Sequence, residues 1–317
     1  MIRQIGAILL ASATPVVADI AFLGMPIDCV IGETCVIEDY PDIDPSDEAA
    51  DYLCGLKTQD GQNGTGFALL SLEQMRDGVS VVAAADGLVS AVRNNEPDRP
   101  FAPGTTLEGR DCGNAVRLEH ANGYQSVYCH LKQGSVRVTS GQTVTAGQPL
   151  GQVGLSGRTE HPHLHLTITQ GEAVIDPFAP DQANACDSPD KDLWLETPDY
   201  TDAGLFGAGV SNRVPNMEDV QSGAASHSKL SPLEPMVLYG FAFHGDKDDT
   251  LSLVLRGPEG EVFAHTAFLN QDERQFFRAF GRRPPETGWP RGAYQGTVQM
   301  IRNGSILAVR HANIIIE

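Results

Sequence analysis

Basic residues are scarce in this chain. Twenty-two Lys and Arg stand against 41 Asp and Glu, a formal net charge of -19 over 317 residues. Phosphate backbones are bound by basic surfaces, so no nucleic acid is expected as a partner. The same acidity repels anionic lipid. The apolar run near the N-terminus, Ile5 to Val17, is too short to span a bilayer, so no stable membrane insertion is expected. No CxxC pair occurs, which argues against a structural zinc knot. The carboxylates of Glu38-Asp39-Tyr40-Pro41-Asp42-Ile43-Asp44-Pro45 lack EF-hand spacing, which argues against a calcium loop. Helical periods are few. Hydrophobic content is 41%, ordinary for a globular protein with a core.

The N-terminus has the form of a secretory signal. Arg3 gives a positive start, Ile5 to Val17 an apolar centre, and Val16-Val17-Ala18 a small-residue cleavage pattern, so residues 1–18 are expected to be removed. That places the chain in the periplasm or cell envelope. The six cysteines, Cys29, Cys35, Cys54, Cys112, Cys129 and Cys186, fit that compartment and suggest three disulfides out of fifteen possible connectivities. Cys112 and Cys129 flank one predicted hairpin and could bridge it. Cys35–Cys54 and Cys29–Cys186 are guesses from what remains.

Residues 19–54 are acidic and irregular, an N-terminal segment expected to be a solvated loop pinned by disulfides. From Val79 onward short strands alternate with turn signals. Val79 to Ala85 runs into Asp86-Gly87, and Leu88 to Val92 follows. Ala115 to Glu119 and Tyr124 to His130 flank Asn122-Gly123, a strong hairpin dipeptide. Ser135 to Val138, Gln142 to Val144, Pro149 to Val153 and Leu164 to Thr169 complete the series. Many short strands punctuated by Gly argue an all-β domain, here bounded as 55–186.

Prolines, glycines and serines over 187–234 read as a linker. Six further strands follow from Met236 to Ile316, with turns at Gly257-Pro258-Glu259-Gly260 and Asn303-Gly304, and suggest a small immunoglobulin-like β-sandwich over 235–317. It holds no catalytic constellation. His227, His244, His265 and His311 share no spacing and read as ordinary surface or core histidines.

Chemistry concentrates in His161-Pro162-His163-Leu164-His165. In a strand, residues two apart share a face, so His163 and His165 would both point into one site. Adjacent imidazoles suit a metal ion, or a ligand and a base.

Several segments together resemble the LytM/lysostaphin-type peptidases, the M23 metalloendopeptidases. They are Gly78 to Val89; Gly113-Asn114-Ala115-Val116-Arg117-Leu118-Glu119-His120; Gly123-Tyr124; Tyr128-Cys129-His130-Leu131; Gly141 to Val144; Gly147 to Gly151; Gly154-Leu155-Ser156-Gly157; and Pro162 to Leu166. The resemblance covers roughly 55–178 and implies a LytM-type β-sheet domain. It also implies one zinc ion and cleavage of peptide cross-links in bacterial peptidoglycan. Its ligands are the His and Asp of H-x-x-x-D and the second His of H-x-H. Carried over, His165 is the metal ligand, and His130 and His163 are the catalytic histidines.

The first motif is broken. In Gln62-Asn63-Gly64-Thr65-Gly66-Phe67-Ala68, Gln62 stands at the His position and Gly66 at the Asp position. A catalytic zinc normally has three protein ligands and an open position for water. Gln is a weak neutral donor and Gly has no side chain, so weak or absent zinc is expected. The resemblance then implies a non-catalytic protein at peptidoglycan, either a regulator of cell-wall hydrolases or a peptidoglycan-binding module, with stem peptides or a hydrolase as partner. The alternative is an active endopeptidase with an unorthodox site built on His130, His163 and His165.

Overall fold

A computed structural model describes residues 22–102, 104–181 and 191–317. The expected signal peptide and Cys186 lie outside the described residues. The elements run β1 (Cys35–Asp39), β2 (Thr65–Leu69), α1 (Leu72–Asp77), β3 (Ser80–Val82), β4 (Gly87–Arg93), β5 (Asn114–Glu119), β6 (Tyr124–Leu131), β7 (Thr143–Val144), β8 (Pro149–Gln152), β9 (His163–Gln170) and β10 (Ala173–Ile175). Then come β11 (Gly204–Ser211), α2 (Met217–Gln221), β12 (Lys229–Leu230), β13 (Met236–Gly245), β14 (Thr250–Gly257), β15 (Gly260–Phe268), β16 (Glu273–Arg282), β17 (Gly292–Arg302) and β18 (Ser305–Ile316). The fold is all-β with two short helices. No helix among the described residues is long and apolar enough to cross a membrane.

The first sheet has the order β1-β2-β9-β6-β5-β4-β7, with β10 beside β9. Alternation in β9 sets its two faces: Leu164, Leu166 and Ile168 are buried, while His163, His165 and Thr167 are partly exposed. The buried set joins Phe67, Leu69, Val116, Leu118 and Tyr128 in one core. The Asn122-Gly123 dipeptide turns β5 into β6 with φ of 59° and 77°, as a hairpin turn needs. The stretch Ser135 to Val138, expected as a strand, is irregular.

Two sheets form the C-terminal half: β11-β13-β16, and β12-β18-β17-β14-β15. Leu238, Leu251, Leu253, Val298 and Ile314 pack between them. Strand β11 falls inside the stretch expected to be a linker. It pairs with β13 over Gly204 to Ser211, so the sandwich takes in chain well before residue 235. Its glycines hid it from a propensity reading. Gly209, for one, lies where a Cβ would collide with the Tyr239 hydroxyl oxygen.

The acidic N-terminal segment also departs from expectation. Cys35-Val36-Ile37-Glu38-Asp39 is a buried strand on the edge of the first sheet, with Glu38 and Asp39 only 4% and 6% exposed. A third apolar cluster explains this. Val36 and Ala68 on β1 and β2 pack against Phe206, Tyr239, Phe241 and Phe243 of the sandwich, which covers that end of the first sheet. Ion pairs reinforce the contact. Lys57, from the N-terminal half, meets Asp246 at 3.3 Å and Asp202 at 3.4 Å.

Cys112 and Cys129 are bonded across the β5–β6 hairpin, with Cα atoms 4.8 Å apart. Cys29 pairs with Cys35, 6.0 Å away, which corrects both Cys35–Cys54 and Cys29–Cys186; a six-residue spacing lets a local loop close first. Cys54 is disulfide-bonded as well. Breaking Cys112–Cys129 by a double Ser substitution is expected to lower stability by about 3 kcal/mol, the loop-entropy value for its span. Denaturant unfolding under non-reducing conditions measures it, and an unchanged midpoint would contradict it.

Candidate functional site

One row of residues crosses four strands. Asp39 of β1 is paired with Gly66 of β2, Gly66 with His165 of β9, and His165 with Cys129 of β6. Directly paired residues share a face, so this row forms the floor of one groove. One step along, His163 is paired with Ala68 at the edge covered by the sandwich. A bulge brings His130 to the same side. Asn114 is paired with Leu131 but Val116 with Tyr128, and His130 takes φ 62°. That bulge lets the consecutive residues Cys129 and His130 both line a cavity of about 700 Å³.

The three expected histidines therefore meet. The His130 and His163 rings lie 4.7 Å apart, and those of His130 and His165 6.0 Å apart. Each ring is anchored by one nitrogen. His130 Nδ1 donates to the Ser156 carbonyl at 2.8 Å, and His163 Nδ1 donates to the His161 carbonyl at 2.9 Å. His165 Nε2 donates to Asn63 Oδ1 at 2.9 Å, with Thr167 Oγ1 at 3.0 Å. The other nitrogens, Nε2 of His130 and His163 and Nδ1 of His165, are left as lone-pair acceptors. Burial lowers all three pKa values, that of His165 to about 3, so the trio is neutral at pH 7.

Gly64 holds this arrangement close. A Cβ there would lie 2.5 Å from the Leu166 carbonyl oxygen and 2.8 Å from His165 Nε2. Gly64→Ala is expected to push β2 from β9 and to cost about 1–3 kcal/mol, as overpacking does. Thermal unfolding checks this, and a melting temperature equal to the unmodified protein's would count against it.

Residues 70–177 match the sequence profile of peptidase family M23. The chain is 36% identical over 113 residues to peptidoglycan DD-endopeptidase ShyA of Vibrio cholerae, covering 35% of this chain and 21% of that protein. This domain belongs to peptidase family M23. The M23 domain is also 39% identical over 125 residues to DD-carboxypeptidase/endopeptidase Mpg of Neisseria meningitidis, covering 37% of this chain and 24% of that protein. It is 30% identical over 103 residues to cell division protein DipM of Caulobacter vibrioides, covering 32% and 14%. The chain thus spans about a quarter or less of the relatives it matches. Among solved structures, the lysostaphin catalytic domain of Staphylococcus simulans overlaps 36% of this chain and 74% of its own, at 22% identity and a TM-score of 0.27.

The family is zinc-dependent, and the donors present here do not fit that ion. Gly66 faces His165 with no side chain. Gln62 lines the cavity with a neutral amide. Among the described residues no three His, Cys, Asp or Glu side chains are placed to hold a metal together.

The M23 groove also holds residues that the sequence did not single out. Asp39 leans over Gly66, its Oδ2 lying 3.8 Å from where a Gly66 Cβ would be. Arg274 of β16 reaches across from the sandwich and grips Asp39 with Nη2 and with Nε, the latter at 3.3 Å from Oδ1. Beside it Gln275 donates its side-chain amide to Glu38. The short continuous apolar run Cys35-Val36-Ile37 could have signalled β1; nothing in the sequence of β16 pointed to the groove. His161, nearest in sequence to the trio, is buried against Phe206, and its Nε2 donates to the Leu69 carbonyl at 2.6 Å. His244 is likewise buried and bonded to the Glu38 carbonyl, so it ties the sandwich to β1.

Proposed function

We propose that this chain is an exported protein that acts at bacterial peptidoglycan without cutting it, as a binding module or as a regulator of cell-wall hydrolases. The observation that carries the reading is the pair Gln62 and Gly66 at the two ligand positions, with the Arg274–Asp39 ion pair beside them. A zinc site needs anionic or imidazole donors to offset the ion's charge and acidify its water. His165 alone of the three family positions supplies one. In this reading His165 is the remaining ligand position, and His130 and His163 are the two that would work on water if a metal were held. Membership of a peptidoglycan-active family supports the substrate, and the disulfides support export. DipM, a cell division protein by name, shows that relatives are not all named as enzymes.

One observation favours the second reading, an active endopeptidase. His130, His163 and His165 all persist, each anchored so that one nitrogen lone pair is left over. Incubation with purified sacculi separates the two. The proposal expects the protein to sediment with the sacculi while no soluble peptide fragments are released. Fragment release by the unmodified protein, abolished by His165→Ala, would establish the enzyme instead.

A further inference from the structure

We infer that Arg274, from the C-terminal sandwich, is the cation that binds ligand in the M23 groove, and that the acceptor it takes is a neutral peptide carbonyl oxygen. This deepens the peptidoglycan reading and rests on it. A guanidinium has five N–H donors in a fixed fork. Arg274 spends Nε and one donor of Nη2 on Asp39. Its Nη1 has no partner among the described residues, and the side chain is 41% exposed in the wall of the cavity.

The position follows from the register. Asp39, Gly66 and His165 lie in one row, so the missing carboxylate at Gly66 leaves space that Asp39 leans over. A carboxylate that buried needs a cation. Arg274 supplies it, so a fixed organic charge stands beside the histidines where the family uses a metal. The sandwich is then part of the binding site and not only an appended module.

Charge selects the ligand. Glu38, Asp39, Asp111 and Glu160 line the cavity against Arg158 and Arg274 alone. Arg158 already pairs with Asp111 at 2.5 Å. A free carboxylate entering this excess of negative charge is repelled, whereas a carbonyl accepts from Nη1 without that cost.

Co-sedimentation with intact peptidoglycan sacculi tests the assignment. Arg274→Gln is expected to weaken binding at least tenfold. Asp39→Asn keeps the arginine, removes a competing charge and frees donors, and is expected to strengthen binding at least threefold. An ion pair with only a structural role would give weaker binding with either change, so the opposite signs carry the test even where Arg274→Gln folds poorly. Unchanged binding by folded Arg274→Gln, or weaker binding by Asp39→Asn, overturns the assignment and leaves the peptidoglycan reading standing. No sedimentation of the unmodified protein overturns both.

Discussion

The double substitution Gln62→His with Gly66→Asp is expected to raise zinc affinity by at least about 100-fold, since even the partners that merely orient a ligand are worth 10–100-fold. The backbone is ready for it. An added Cβ at Gly66 meets Asp39 at 3.5 Å, ordinary contact distance, and Gly66 is paired with His165. His165 keeps Nδ1 free as an acceptor because Asn63 and Thr167 hold Nε2. The new carboxylate would crowd that of Asp39, which is two-fold bonded to Arg274. Adding Asp39→Asn to the pair should therefore raise affinity further by removing the like charge. Calorimetric zinc titration reads the result. Equal affinity for the unmodified protein and the double variant would show that these two positions are not what limits metal binding.

Lowering the pH from 7.5 to 5.0 is expected to cost this protein stability on the order of 3 kcal/mol. Burial lowers the pKa values of His120, His130, His161, His163, His165 and His244. An imidazole with a depressed pKa stays neutral in the folded protein while the unfolded chain takes up a proton near pH 6.5. Its contribution is full above that pH and is lost as pH falls, by up to about 1.4 kcal/mol for each unit below 6.5. His165, lowered to about 3, keeps losing from pH 6.5 all the way down to 5.0. Two carboxyls work the other way. Burial raises Asp39 and lifts Asp176 to about 7, so each takes up its proton more readily when folded and gains as pH falls. Six imidazoles outweigh two carboxyls. Melting temperatures at fixed ionic strength measure the sum, and a higher value at pH 5.0 than at 7.5 would reverse the sign of the argument.

The strands that carry His130, His163 and His165 were legible in the sequence because their period is two and their turns are marked by Asn-Gly and Gly. The Cys112–Cys129 bridge followed from the same hairpin. What was hidden depends on contacts between distant segments. Glu38 and Asp39 look like members of an acidic loop until Phe206, Phe241 and Phe243 are seen to cover β1. Strand β11 is rich in glycine for close packing, which mimics a linker. Arg274 and Gln275 sit more than 230 residues from the carboxylates they bind, and no local pattern encodes that meeting. The groove was thus readable along its floor and unreadable along the wall that the sandwich builds.

The proposed function rests on a groove that, as it stands, holds no catalytic metal. Zinc content per protein molecule after purification without chelator, measured by elemental mass spectrometry alongside His165→Ala, tests it directly. Far less than one zinc per molecule is expected in both proteins, with no difference between them. One zinc per molecule in the unmodified protein, lost in His165→Ala, would contradict it.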